Sequence, residues 1–183
     1  MTCKRPFTVF TSLVLISMLG GCGSAMEAAG LKKPPELPEL QRAPRNVALR
    51  LHAAERLNVD ARGRPLALAV RLYKLRQKDS FEAAPFAAFL NPQAEREALG
   101  ADLIDVREIM LVPGQRYEIV EKVGREAGAL GVVALFHHPA GARWRTTVSV
   151  LEAERDGVSL GLYGCALSRA GEAGSTIASV RCQ

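Results

Sequence analysis

The sequence predicts a mainly β domain: a β-sandwich of about seven or eight short strands, with a short helical insertion between early strands. Three observations carry this. From residue 46 onward apolar residues recur at every second position, as in Val47, Leu49, Leu51 and again in Leu66, Leu68, Val70, Leu72. That is the period of a strand with one buried face. Turn residues punctuate the runs, among them Gly63 and Pro65, Pro113-Gly114 and Pro139-Ala140-Gly141. Helix-start signals cluster in one stretch, near 79–100.

The chain before residue 46 reads differently. Lys4 and Arg5 precede a mostly apolar run from Phe7 to Leu19, 13 residues long. A membrane-spanning helix needs about 20, so this is the anatomy of a secretory signal, residues 1–21. Its exit, Leu19-Gly20-Gly21-Cys22, resembles a bacterial lipobox. The resemblance implies that Cys22 takes a diacylglycerol and becomes the acylated N-terminus. Gly23, rather than Asp, follows it, as is typical of lipoproteins bound for the outer membrane. The mature chain, 22–183, is then 162 residues, one domain's worth. Losing Lys4 and Arg5 lowers the net charge from +5 to +3. So modest a balance, with no Lys/Arg cluster, gives no sign of nucleic-acid binding.

Residues 22–45 carry Pro34, Pro35, Pro38 and Pro44 without periodicity. They read as an extended tether, near 3.1 Å per residue, with a possible short helix at 24–31. The sandwich domain is expected over 46–183. Its first strand lies in NVALRLHAAERL. A polar loop, NVDARGRP (58–65), leads to a second strand in LALAVRLYKL, where Arg71 and Tyr73 point away from the leucine face. Asp79 and Glu82 have capping-box spacing. Pro85 divides the segment. Asn91 and Pro92 suit the N-cap and first position of a second helix, which Gly100 ends.

LIDVREIMLV (103–112), Pro113-Gly114 and QRYEIVEKV (115–123) read as a hairpin. ALGVVALFHH (129–138) is apolar on both faces and reads as a central strand. RWRTTVSVL (143–151) alternates with Trp144, Thr146, Val148 and Val150 on one side, leaving Arg143 and Arg145 to solvent. VSLGLYGCALS and STIASVRC form a last pair around a Gly-rich turn. With Cys3 removed and Cys22 lipidated, Cys165 and Cys182 remain. In an exported protein an even pair reads as one disulfide, the alternative being two free thiols. A bridge there would close 18 residues and stabilise by roughly 3 kcal/mol.

Little in the chain suggests catalysis. There is no G-x-S-x-G and no phosphate loop. His137 and His138 are consecutive, so on a strand they would face opposite ways, which disfavours a shared metal. Asp102, Asp105 and Glu108 read better as a solvated face than as a cation site. Phe81, Phe86 and Phe89 read as pins for the helical insertion rather than a ligand patch, and Trp144 as core. No metal, small-molecule substrate or cofactor is expected beyond the covalent lipid on Cys22. The loop between the first two strands stands out instead. It is longer than a minimal turn and presents Asp60, Arg62 and Arg64 on a rigid scaffold, as binding loops commonly do. An ordinary solvated turn is the equal alternative.

Several ordered stretches together resemble the outer-membrane lipoprotein of the type VI secretion system, the TssJ (SciN/VasD) family. LNVDARGRPLALAVRLYKL resembles its first hairpin and FEAAPFAAF its helical insertion. LGADL and MLVPGQ resemble the next strand and turn, and LGVVALFHHPAGARWR the late core strands. The resemblance implies a transthyretin-like β-sandwich and a structural role on the periplasmic face of the outer membrane. It implies binding to the periplasmic C-terminal region of the inner-membrane protein TssM, within a TssJ–TssL–TssM complex. It places the partner-binding loop at Asn58, Val59, Asp60, Ala61, Arg62, Gly63 and Arg64, with Asp60, Arg62 and Arg64 as polar contacts and Val59 as apolar anchor. Two rivals remain: a lipoprotein binding a small hydrophobic ligand or lipid, which needs an apolar cavity, and an envelope enzyme, which needs a convergent polar site.

Overall fold

The alternating runs form strands that bury one face, and two sheets of them close on each other. The computed structural model describes residues 37–171 and Cys182. The signal, Cys22, most of the tether and the expected strand at 175–182, Cys182 apart, lie outside the described residues. Among those described, eight strands form two four-stranded sheets. The strands are β1 (Arg45–Ala53), β2 (Leu68–Leu75), β3 (Leu103–Leu111), β4 (Arg116–Val123), β5 (Ala129–Ala134), β6 (Arg145–Ser149), β7 (Val158–Leu162) and β8 (Leu167–Arg169). One sheet runs β4-β1-β7-β8 and the other β3-β2-β5-β6. Only β1 and β7 pair in parallel.

Val47, Leu49 and Leu51 of β1 and Leu160 and Leu162 of β7 meet Leu68, Val70 and Leu72 of β2 and Leu130 and Val132 of β5 in one core. Fully burying such a side chain stabilises by about 1.5–3 kcal/mol. At the side of the sandwich where edge strands β3 and β4 lie, buried Glu121 accepts from Lys74 Nζ (2.8 Å) and Arg107 Nη1 (3.0 Å), and Lys74 also reaches Asp105 (3.0 Å). Inward charges of this kind discourage edge-to-edge aggregation.

The helical insertion is present: α1 (Asp79–Ala83), a 3₁₀ turn (Phe86–Leu90), α2 (Pro92–Leu99) and a second 3₁₀ turn (Gly100–Asp102). Asn91 caps α2, accepting from Gln93 N (2.8 Å) and Ala94 N (3.1 Å), with Pro92 at the first position. The expected capping box at Asp79 and Glu82 does not form; Lys78 precedes α1 without a side-chain cap. The insertion covers the outer face of the β2–β5 sheet. Tyr73, Phe81 and Phe89 pack mutually at centroid distances of 5.2, 5.7 and 5.4 Å, and Trp144 packs on Phe86 (5.0 Å) and Phe89 (5.4 Å). That second layer is why β5 is buried on both faces.

Arg145 does not stand in solvent as expected. Its guanidinium lies 4.6 Å from the Trp144 ring centre, and Nη1 donates to Phe81 O (2.8 Å) and Ala84 O (2.6 Å), with Nη2 donating to Glu82 O. It closes the C-terminal end of α1, whose carbonyls lack helical partners. On the same sheet Arg71 Nη1 binds Glu95 (2.7 Å) and Phe89 O (3.0 Å) and its Nε binds Glu108 (2.8 Å), tying α2 to β2.

Four expectations need correction. β3 and β4 are not a hairpin: β3 pairs with β2 and β4 with β1, so Pro113-Gly114 carries the chain between sheets. Equally, β1 and β2 lie in different sheets and are not a hairpin. The expected strand 143–151 ends at Ser149, whose Oγ accepts from Glu152 N (3.2 Å) and starts helix α3 (Val150–Asp156), which Gly157 (φ 72°) terminates. The stretch 158–168 is not one strand; it bends at 163–166 so that β7 pairs with β8. The end of the predicted tether is also held. Glu39 accepts from Arg45 (2.7 Å) and Arg125 (3.1 Å), and Arg125 Nε donates to Ala43 O (2.7 Å).

Candidate functional site

The loop after β1 is fixed from its first residue. Asn58 has φ 46°, the only non-glycine described residue in the left-handed region, where Asn is tolerated better than most. It is buried. Its N–H donates to Tyr163 O (3.1 Å), its Nδ2 to Ala67 O (2.7 Å), and its Oδ1 accepts from His137 N (2.7 Å). The side chain thus joins both ends of the loop to the bend after β5, and the backbone N–H ties it to the bend after β7. Val59 is buried beside it, its N–H on Gly164 O (2.9 Å).

Asp60 shapes the tip. Its carbonyl accepts from Gly63 N (2.9 Å), closing a turn over Ala61 and Arg62 that Gly63 completes at φ 73°. Its Oδ1 accepts from Arg62 N (2.8 Å) and Arg64 N (2.9 Å), and its Oδ2 from Arg64 Nε (2.8 Å) and Nη2 (2.7 Å). The Arg64 N–H above all, then the Arg64 guanidinium and the Arg62 N–H, hold its carboxyl below the usual range despite partial desolvation. Among the seven residues expected to meet a partner, Asn58, Val59 and Asp60 are therefore committed inward. Ala61, Arg62, Gly63 and Arg64 are exposed.

The disulfide backs this loop. Cys165–Cys182 is formed, with Cα atoms 5.5 Å apart. Cys165 sits in the bend between β7 and β8, and its carbonyl accepts from Ala140 N (2.8 Å). A Cβ on Gly164 would stand 2.9 Å from Cys182 Sγ and 3.4 Å from Val59 Cγ2. Only glycine lets loop and bridge approach this closely.

The family described as type VI secretion lipoprotein, VasD, EvfM, TssJ matches residues 45–165, which runs from β1 through the loop and insertion to the first bridge cysteine. The chain belongs to this family. It is 29% identical, with TM-score 0.60, to the T6SS lipoprotein TssJ1 from Pseudomonas aeruginosa, covering 69% of this chain and 95% of that one. A chain of a structure described as "Type VI membrane complex" is 28% identical, TM-score 0.62, covering 69% and 98%. A chain of one described as "T6SS protein TssM C-terminal domain (869-1107) from EAEC" is 26% identical, TM-score 0.60, covering 68% and 97%. No curated protein sequence matches significantly.

The acidic residues singled out at 102–108 serve packing. Asp105 and Glu108 pair with Lys74 and Arg71, and Asp102 lends its carbonyl to Arg76 N (2.8 Å). Among the described residues no cluster of His, Cys, Asp and Glu is arranged to hold a metal. His137 and His138 lie in a bend beyond β5, not on a strand, and their rings touch at 4.3 Å. Two surface clefts, of about 210 and 430 Å³, are lined by groups such as Glu82, Arg145 and Thr147 or Arg76, Lys78 and Glu152. They lack the apolar enclosure that a lipid-carrying rival would need. No described helix is long and apolar enough to cross a membrane. Sequence reasoning missed Asn58 as the organiser of the loop; its one signal is Asn directly after a strand run, a residue type favoured at positive φ.

Proposed function

We propose that this chain is the outer-membrane lipoprotein of a type VI secretion membrane complex, anchored by lipid on Cys22 at the periplasmic face. It binds the periplasmic C-terminal region of TssM, which with TssL carries the connection across the envelope. The role is positional, not catalytic. The observation that carries the reading is the family match across 45–165, which includes the loop 58–64. Similarity to a chain in a structure of the TssM C-terminal domain points to the partner.

The fold suits an anchor. The tether joins the domain at Arg45 and the loop follows Ala53, so they lie at opposite ends of β1, about 30 Å apart at the rise of a strand. Acyl chains contribute roughly 0.8 kcal/mol per buried CH₂, so more than one gives stable attachment. Tethering then raises the local concentration of the loop near its partner. Arg62, exposed at the tip, supplies charge, and Asp60 holds the shape.

Cys22→Ser tests the anchor. It should release the protein from the membrane fraction and abolish type VI-dependent secretion. Normal secretion by an unlipidated protein would overturn it. Calorimetry with the TssM region tests the partner: binding should be seen, and Arg62→Glu should weaken it about tenfold.

A further inference from the structure

The loop is not alone at its end of the sandwich. Met110 and Val112 are 57% and 53% exposed, unusual for two large apolar side chains at the end of one edge strand. Met110 lies opposite Ala69 of β2, and half-buried Leu135 adjoins it, its N–H on Ala69 O (2.9 Å). The insertion stops short of this strip. The turn after β3 is held to the root of the loop: Gly114 N donates to Ala54 O (3.2 Å) and Ala53 N to Gln115 O (2.9 Å). Ala69 is five residues beyond Arg64, at most about 18 Å of chain. Strip and loop therefore fit within one standard interface patch.

The exposed arginines of the loop supply positive charge at this end, while the Glu55 carboxylate lies against the turn after β3, 2.6 Å from where a Cβ on Gly114 would stand. Among the described residues Arg56 and Arg62 make no ion pair, while Asp60 is occupied by Arg64. Arg56 reaches over Gly63, with Nη2 3.8 Å from where a Cβ would stand. Exposed Met next to unpaired Arg is the composition of an interface with an apolar centre and a charged rim.

We propose that the TssM-binding surface extends from the loop onto Ala69, Met110, Val112 and Leu135, and that its occupant is a TssM segment with apolar side chains flanked by carboxylates. This rests on the TssM reading above. The apolar side chains cover Met110 and Val112, and the carboxylates meet Arg56 and Arg62.

The test is calorimetry of the lipidated mature chain in detergent against the TssM periplasmic C-terminal region, at low and high salt. Met110→Glu and Val112→Glu should each raise Kd about tenfold or more, and Met110→Gln should also weaken binding without adding charge. Arg62→Glu should weaken binding and flatten its salt dependence. Val120→Glu, 61% exposed on the outer face of the other sheet, should bind as wild type. Wild-type affinity in all three strip variants, with Arg62→Glu impaired, would confine the interface to the loop and overturn the strip. Equal loss in Val120→Glu would overturn it too. Failure of the unmodified chain to bind would remove the TssM reading and its extension together.

Discussion

The side-chain oxygen of Asn58 accepts the backbone N–H of His137 at 2.7 Å, across 79 residues of sequence. The same amide donates to Ala67 O. A part-buried peptide N–H and a part-buried carbonyl therefore depend on one side chain. Asn58→Ala leaves both unpaired and puts a Cβ-only residue at φ 46°. The expected loss is about 2–4 kcal/mol, from unsatisfied groups at 1–3 kcal/mol and left-handed strain at 1–2 kcal/mol. Asn58→Gly relieves only the strain and should fall between. Urea unfolding checks the order.

Arg145 links β6 to α1 through three carbonyls. Arg145→Ala should destabilise by about 2–3 kcal/mol, since three carbonyls, two of them in part-buried bonds, lose a charged donor. Trp144 is the only tryptophan in the chain, so its emission should shift to the red as the insertion loosens. Arg145→Lys should not restore it, because a single ammonium cannot fork to separated carbonyls.

Gly131 is central in β5 because Phe81 lies flat on it: a Cβ there would stand 2.7 Å from the ring. Gly131→Ala should destabilise by about 1–3 kcal/mol. Phe81→Leu added to it should cost less than the two single changes summed, a coupling that a double-mutant cycle measures.

Acid should loosen the loop through Asp60. Its folded pKa is depressed, first by the Arg64 N–H, so the folded state holds fewer protons than the unfolded chain. The stability it contributes is present above the ordinary aspartate value near ~3.9 and is lost as pH falls through the folded value. Asp60→Asn should flatten the acid limb of stability measured by chemical unfolding between about pH 7 and about pH 2. An unchanged slope would show that Asp60 is not its source.

Much of this fold was legible beforehand. Period-two runs located the strands, Asn91-Pro92 the start of α2, and Gly100 its end, because these signals act over a few neighbouring residues. Helix α3 was legible too, and was missed. Ser149 and Glu152 stand at capping-box spacing and Gly157 supplies the stop, but the alternation through Val150 outweighed them. The site was less readable. Residues 58–64 stood out as a loop, yet nothing local distinguished Arg62, which faces outward, from Val59, which packs beside Gly164.

The sequence by itself determined where most strands and the insertion lie, that Cys165 and Cys182 are candidates for one bridge, and which family the chain resembles. Side-chain periodicity, caps and motifs are written in residue types. The tertiary structure alone decided that β3 and β4 part to different sheets, that Arg145 turns inward to three carbonyls, and that Asn58 ties the loop to His137. Each of those choices has a backbone N–H or C=O as a partner, groups that nearly every residue offers alike, so residue identity does not mark the partner until the sheets have closed.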